Sequence, residues 1–293
     1  MKTVNKNKNK NINVMLSGSI DDFVLDIDFK MPLKGITALV GPSGCGKTTI
    51  LRCLSGLHKM SGQIKIADDI WQDNNIFQKP YQRSVGYIFQ EANLFSHLSV
   101  RENLLYGAAR AKKHHIKETY HFDDVVDVLA IEHLLERRTT SLSGGERQRI
   151  AIGRAILAQP RLLLMDEPLS ALDQTSKQGI FTCFERLHEE FLLPILYVSH
   201  DINEIATLAD QIILIEDGKK VAQGLTHDII KQMNLAPAAG YYDPKTSFTA
   251  TVTRNEIEDG LTWLGYNGQA ISIPLQDLKI GDEVSLFVNP KKM

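Results

Sequence analysis

Residues 35–49 read GITALVGPSGCGKTT, and the fold turns on how this stretch is read. GITALV (35–40) is a continuous apolar run, the pattern of a strand buried on both faces of a parallel sheet. Gly41-Pro42-Ser43-Gly44-Cys45-Gly46-Lys47-Thr48 then fits G-x-x-x-x-G-K-[ST], and TTILRCLSGL continues with helical spacing. Glycines let successive backbone N–H groups converge on phosphate oxygens, and the following helix N-terminus adds its dipole. Lys47 would reach the β/γ-phosphates, and the Thr48 hydroxyl would ligate Mg²⁺. A Gly-rich turn could match the pattern alone. A strand before it and a helix after it favour a phosphate loop, with Thr49 closing the ligand set.

Further along, RLLLMDE (161–167) is an apolar strand ending in two acids. This places carboxylates at the carboxyl edge of a sheet, where ligands bind in open α/β folds. Asp166 would hold Mg²⁺, and Glu167 would polarise an attacking water. Between the two motifs stands Leu142-Ser143-Gly144-Gly145-Glu146-Arg147-Gln148, leading into the helical RIAIGRAIL. Ser143 as N-cap with Glu146 three residues later is a capping box. Two glycines at a helix start also make an anion site. One chain could hardly fold two helix N-termini onto one γ-phosphate, but a second subunit could supply the other.

Other buried-strand patterns are VGYIF (85–89), PILYVS (194–199) and QIILIE (211–216), and IDDFVLDIDFK (20–30) alternates with period two. Helical patterns at 101–136, 145–158, 174–192 and 202–208 lie between them. Strands alternating with helices predict an α/β domain with a mainly parallel sheet.

Lys+Arg 33 against Asp+Glu 35 leaves a net charge of −2, without the footprint of a dedicated nucleic-acid binder. Mean hydropathy is −0.16, and no apolar run approaches the roughly 20 residues a spanning helix needs. Cys45, Cys53 and Cys183 are odd in number and share no metal-ligand spacing, which fits a reducing compartment. Residues 1–14 read as a disordered basic tail, with Met15 opening the first apolar pattern. His114, His115 and His121 fall in a charged stretch that reads as solvated surface. The domain expected over 15–235 includes a helical subdomain at about 91–158. A linker over 236–246 then leads to a small β-rich module over 247–293, marked by FTATVT, LTWLGY, AISIPL and EVSLFV.

The order phosphate loop, LSGGERQ, LLLMDE, then His200 in YVSHD resembles the ATP-binding cassette ATPases, over roughly residues 15–235. The resemblance implies a P-loop NTPase cassette with a helical subdomain, followed by an OB/TOBE-like β module. It also implies ATP and Mg²⁺ as cofactors, and a homodimer in which Ser143, Gly144 and Gly145 act on the partner's nucleotide. By position, Gln90 matches the glutamine that touches Mg²⁺ and the attacking water. Asp173 in SALD matches the loop crossing the dimer interface, and His200 matches the γ-phosphate histidine. The aromatic that stacks on adenine has no clear match. Phe23 and Phe29 lie in a strand pattern and read as core.

GITALVGPSGCGKTTILRCLSGL, VGYIFQEANLFSHLSVRENLLYG and LPILYVSHDINEIATLADQIILIEDGK are similar to the ATP-binding subunits of molybdate importers. This implies separate transmembrane permease subunits, a solute-binding protein reached through the complex, and a peripheral place on the cytoplasmic face of the cell membrane. Phe95, Leu98 and Leu104 are candidates for the permease contact, with core packing as the alternative for each. In that family the oxyanion module continues beyond the length reached at Met293, so the module reads as incomplete. Importers of sulfate, ferric iron, polyamines or sugars share the cassette and remain alternatives, as does a soluble ATPase acting on nucleic acid or ribosomes. The latter usually carries two cassettes or a coiled-coil insert.

Overall fold

A computed structural model describes residues 11–20, 22–113, 116–235, 247–256, 261–266, 269–274 and 279–287. The tail at 1–10, His114, His115 and the linker at 236–246 lie outside these residues. The chain divides into two compact units, Met1–Ile230 and Lys231–Met293.

In the first unit, β1 (Asn11–Ile20) pairs antiparallel with β2 (Phe23–Pro32). The expected tail is therefore too long. Ile12 and Val14 alternate with Asn11 and Asn13 and are fully buried, so the folded chain includes four residues ahead of Met15. In β2 the alternation buries Leu25, Ile27, Phe29 and Met31 on one face and leaves Val24, Asp26, Asp28 and Lys30 exposed.

Next come β3 (Ile36–Val40), buried at every residue, and α1 (Lys47–Leu54), which follows the glycine loop. β4 (Ser61–Ile66) and β5 (Asp69–Gln72) extend the antiparallel end of the sheet. β6 (Val85–Ile88) precedes three helices: α2 (Val100–Lys113), α3 (Phe122–Val128) and α4 (Gly144–Leu157). Then follow β7 (Leu162–Asp166), α5 (Gln174–Glu190), β8 (Ile195–Val198), α6 (Ile202–Leu208) and β9 (Gln211–Glu216). β10 (Lys219–Leu225) and α7 (Thr226–Leu235) complete this stretch.

The ten strands run β5-β4-β1-β2-β10-β9-β3-β8-β7-β6. From β9 to β6 every pairing is parallel, and this half carries the site at its carboxyl edge. The β5-β4-β1-β2 end is antiparallel throughout. One apolar cluster joins α1 to the sheet through Leu39, Ile50, Leu54 and Ile213. A second joins the helices to the opposite face through Leu104, Val125, Ile150, Ile156 and Leu163. Helices α2 and α4 meet backbone to backbone, because a Cβ on Gly107 would stand only 2.2 Å from the Arg154 carbonyl oxygen. Leu104 is fully buried in this packing, so of its two open roles, permease contact and core, the structure gives it the core one.

The second unit holds β11 (Ser247–Glu256), β12 (Leu261–Tyr266), β13 (Gln269–Pro274) and β14 (Glu283–Phe287), in the antiparallel order β13-β12-β11-β14. Val252 and Leu264 supply buried apolar side chains. Trp263 donates to Glu256 Oε2 at 2.8 Å, with Arg254 over its ring.

Candidate nucleotide-binding and hydrolysis site

The loop between β3 and α1 needs glycine at two points. Gly44 and Gly46 have φ of +84° and +105°, a region that L side chains rarely adopt. Gly46 is the N-cap of α1, so the helix opens toward the loop. Lys47 is 8% exposed and folds over the loop, donating to the carbonyls of Gly41 and of Pro42 (2.8 Å). Cys45 points inward, and burial pushes its thiol up despite the neighbouring Lys47 charge. The loop walls a cavity of about 610 Å³, with Ser43, Gly44, Gly46, Lys47, Thr48 and Thr49 on one side. Ile20, Asp22, Phe23 and Glu167 complete the lining. Phe29 is core, as expected. Phe23 is half-buried and does both: it packs against the core cluster and lines the cavity, with its ring against Gly46.

At the end of β7, Thr48 donates from Oγ1 to Asp166 Oδ1 at 3.4 Å. Tyr87, on the neighbouring strand β6, donates its hydroxyl to Asp166 Oδ2 at 3.0 Å. Burial raises the Asp166 pKa, although both hydrogen bonds work to lower it. The Tyr87 phenol is pushed far up, first by burial and then by the Asp166 charge. Two hard oxygens on Thr48 and Asp166 suit a divalent cation such as Mg²⁺. Among the described residues, no cluster of three His, Cys, Asp or Glu could hold a metal by itself.

Glu167 follows with φ of +48°, the left-handed region, unusual for a residue with a Cβ. Its N–H donates to the Val198 carbonyl at 3.0 Å, and its carbonyl accepts from Ser170 Oγ at 2.9 Å. Its carboxylate lies 3.3 Å from His200 Nδ1. The β7 and β8 ends thus bring Glu167 and His200 together across the sheet edge.

Gln90 is exposed just beyond β6, outside the cavity lining. In the 142–148 segment the capping box forms at α4. Glu146 N–H donates to Ser143 Oγ at 3.2 Å, and Ser143 N–H donates to Glu146 Oε2 at 2.7 Å. The Ser143 N–H also holds the Glu146 carboxyl below its usual range. Gly144 and Gly145 let α4 approach the start of α5: a Cβ on Gly145 would stand 3.2 Å from Ser176 Cβ. Asp173 caps α5, accepting from Ser176 N–H at 3.0 Å and Ser176 Oγ at 2.7 Å. None of Ser143, Gly144, Gly145 or Asp173 lines the cavity of its own chain. Sequence reasoning missed Tyr87 and gave Phe23 only its core role. Phe23 lay in the alternating strand pattern, and nothing local pairs Tyr87 with a residue 79 positions away.

A family model described as ABC transporter matches residues 24–170. The chain belongs to the ABC transporter family. It is 46% identical over 278 residues to the molybdenum import ATP-binding protein ModC of Rhodopseudomonas palustris strain BisB18, covering 94% of this chain and 72% of that one. It is 47% identical over 266 residues to the protein of the same name from strain HaA2, covering 90% and 70%. Among solved structures it resembles cbiO1 from Clostridium perfringens, described as part of the ABC transporter complex cbiONQ. That match has a TM-score of 0.63 and 26% identity, and covers 78% of this chain and 96% of that one. Membership of this family makes the chain a nucleotide-binding ATPase of the transporter type.

Proposed function

We propose that this chain is the ATP-hydrolysing, energy-coupling subunit of an importer for an oxyanion, molybdate or tungstate. The observation that carries the chemistry is the meeting of Lys47, Thr48–Asp166 and Glu167–His200 at one sheet edge. The identity to the molybdenum import proteins, sustained over nine-tenths of the chain, carries the solute class.

ATP would seat its phosphates on the Gly41–Thr49 loop, with Phe23 and Ile20 beside the remainder of the nucleotide. Lys47 would exchange its loop carbonyls for phosphate oxygens, which develop charge during transfer. Thr48 and Asp166, with Gln90, would hold Mg²⁺, whose charge would offset that of the phosphates. Glu167 would orient the attacking water, and His200 would contact the terminal phosphate while fixing the Glu167 carboxylate.

One chain offers half of such a site. Ser143, Gly144 and Gly145 stand at a helix N-terminus away from their own cavity, which supports a head-to-tail homodimer that brings them to the partner's ATP. The Asp173 loop would lie along that interface. Closure of the dimer would then drive separate transmembrane permease subunits, which take solute from a solute-binding protein.

For the permease contact, a cavity of about 700 Å³ is the better candidate than Leu104. Leu57 and Tyr81, each 59% exposed, stand at its wall with Arg83 and Arg110. Phe95 is committed to Tyr106 and Arg154 in this chain, and Leu98 is half-buried. Among the described residues no helix is long and apolar enough to cross a membrane. A peripheral place on the cytoplasmic face rests on the likeness to the import ATP-binding proteins. The near-balanced charge supports a partner other than nucleic acid. The β-rich 247–293 unit would serve regulation.

Purification from detergent-solubilised membranes tests this reading. Recovery of a polytopic membrane protein with the chain supports it, and association with ribosomes or DNA instead contradicts it.

A further inference from the structure

Beneath the turn that carries His200 lies a buried carboxylate that the hydrolytic chemistry does not use. Glu204, in the first turn of α6, is 3% exposed. Its Oε2 accepts from Tyr197 Oη and from Ser199 Oγ, each at 2.8 Å. Its Oε1 accepts from Lys177 Nζ at 2.6 Å. Ser199 Oγ in turn accepts the Asp201 N–H at 3.0 Å, and Lys177 Nζ also stands 3.6 Å from Asp201 Oδ2. Both neighbours of His200 are therefore tied to one ion pair.

His200 itself is two-thirds exposed at its side chain. Its place beside Glu167 is thus set by the backbone that carries it rather than by packing. Lys177 belongs to α5, one turn beyond the cap residue Asp173. Burial works against its charge, yet the bonds to Glu204 and the nearby Asp201 together hold its pKa above the ordinary lysine value. A buried pair of this kind is weak as a source of stability, because desolvation offsets most of the attraction, and its best-attested use is to fix one arrangement.

The geometry points to Glu204 and Lys177 as positioning residues for ATP hydrolysis. Through Ser199 and Asp201 they fix the turn that aims His200 at Glu167. Through α5 they link that turn to the Asp173 loop, so a displacement of either is felt by the other. This inference rests on the hydrolytic reading above and adds to it a fixed link between two loops that both face the nucleotide interface.

The test is steady-state ATP hydrolysis, nucleotide binding and thermal melting of the parent chain and of Glu204→Gln, Lys177→Met and Ser199→Ala. The same Glu204→Gln change is also made in a His200→Ala background. Each single variant is expected to lower kcat about tenfold while the KM for ATP stays within about twofold, since a small misplacement near the reacting atoms costs rate rather than binding. Glu204→Gln/Lys177→Met is expected to be no slower than the slower single variant, and Glu204→Gln to add no loss on His200→Ala. Ser199→Ala keeps the ion pair, so it reports on the turn even if a pair variant fails to fold. Unchanged kcat in all three variants overturns the inference. So does a loss that multiplies on the His200→Ala background, or one in which kcat and KM deteriorate together. A parent chain that hydrolyses no ATP overturns the hydrolytic reading itself.

Discussion

Tyr87 donates its hydroxyl hydrogen to Asp166 Oδ2 at 3.0 Å, joining the strand that leads to Gln90 to the carboxylate beside Thr48. Removing only that hydroxyl, in Tyr87→Phe, leaves the Asp166 carboxylate with one protein partner fewer. One such bond contributes about 1 kcal/mol, so the Mg²⁺ concentration for half-maximal ATPase should shift about fivefold. Nucleotide binding in the absence of Mg²⁺ should be unchanged. A Mg²⁺ titration of both proteins checks this, and coincident curves would remove Tyr87 from the site.

Glu167 sits 3.3 Å from His200 in a left-handed backbone conformation, the kind of strain retained where geometry matters more than local stability. Glu167→Gln should cut turnover by about 10²-fold or more while preserving ATP binding. The variant should accumulate as an ATP-bound dimer on size exclusion. Hydrolysis at the parental rate would show that another group orients the water.

Ser143 opens α4 away from the cavity of its own chain. Ser143→Arg should therefore abolish hydrolysis while leaving the first ATP-binding step at the chain's own loop intact, as read by equilibrium nucleotide binding. Loss of that binding would argue for a site completed within one chain.

Leu104 and Tyr81 separate packing from docking. Leu104 on α2 is fully buried against α4, so Leu104→Ala should cost about 2–5 kcal/mol of stability in denaturant unfolding. Tyr81 is 59% exposed at the wall of the larger cavity, so Tyr81→Ala should stay within about 0.5 kcal/mol of the parent. Its effect should appear instead as weaker recovery of the membrane partner. A Tyr81 variant that recovers the partner fully would place the docking surface elsewhere.

What was legible in the sequence is what is local. The glycine loop between an apolar strand and a helix, the capping box at Ser143 and Glu146, and the period-two burial of β2 each depend on neighbours in the chain. The first four residues of β1 were hidden because Ile12 and Val14 continue an Asn/Lys-rich run that reads as solvated. β4 and β5 were hidden because SGQIKI and DIWQ are short and mix polar residues into a sheet end. An apolar helical face does not declare its partner, which is why the sequence left Leu104 open between contact surface and core. The Tyr87–Asp166 and Lys177–Glu204 pairs link residues 79 and 27 positions apart, a proximity that only the folded sheet and its helices create.

Coupling of ATP hydrolysis to oxyanion import is read out by the ATPase rate of the reconstituted complex. The complex would hold this chain, its membrane subunits and the solute-binding protein, and would be assayed with molybdate, tungstate and sulfate in turn. Stimulation by molybdate or tungstate, with little by sulfate, is expected. Stimulation by sulfate or another solute without a response to molybdate or tungstate would contradict it.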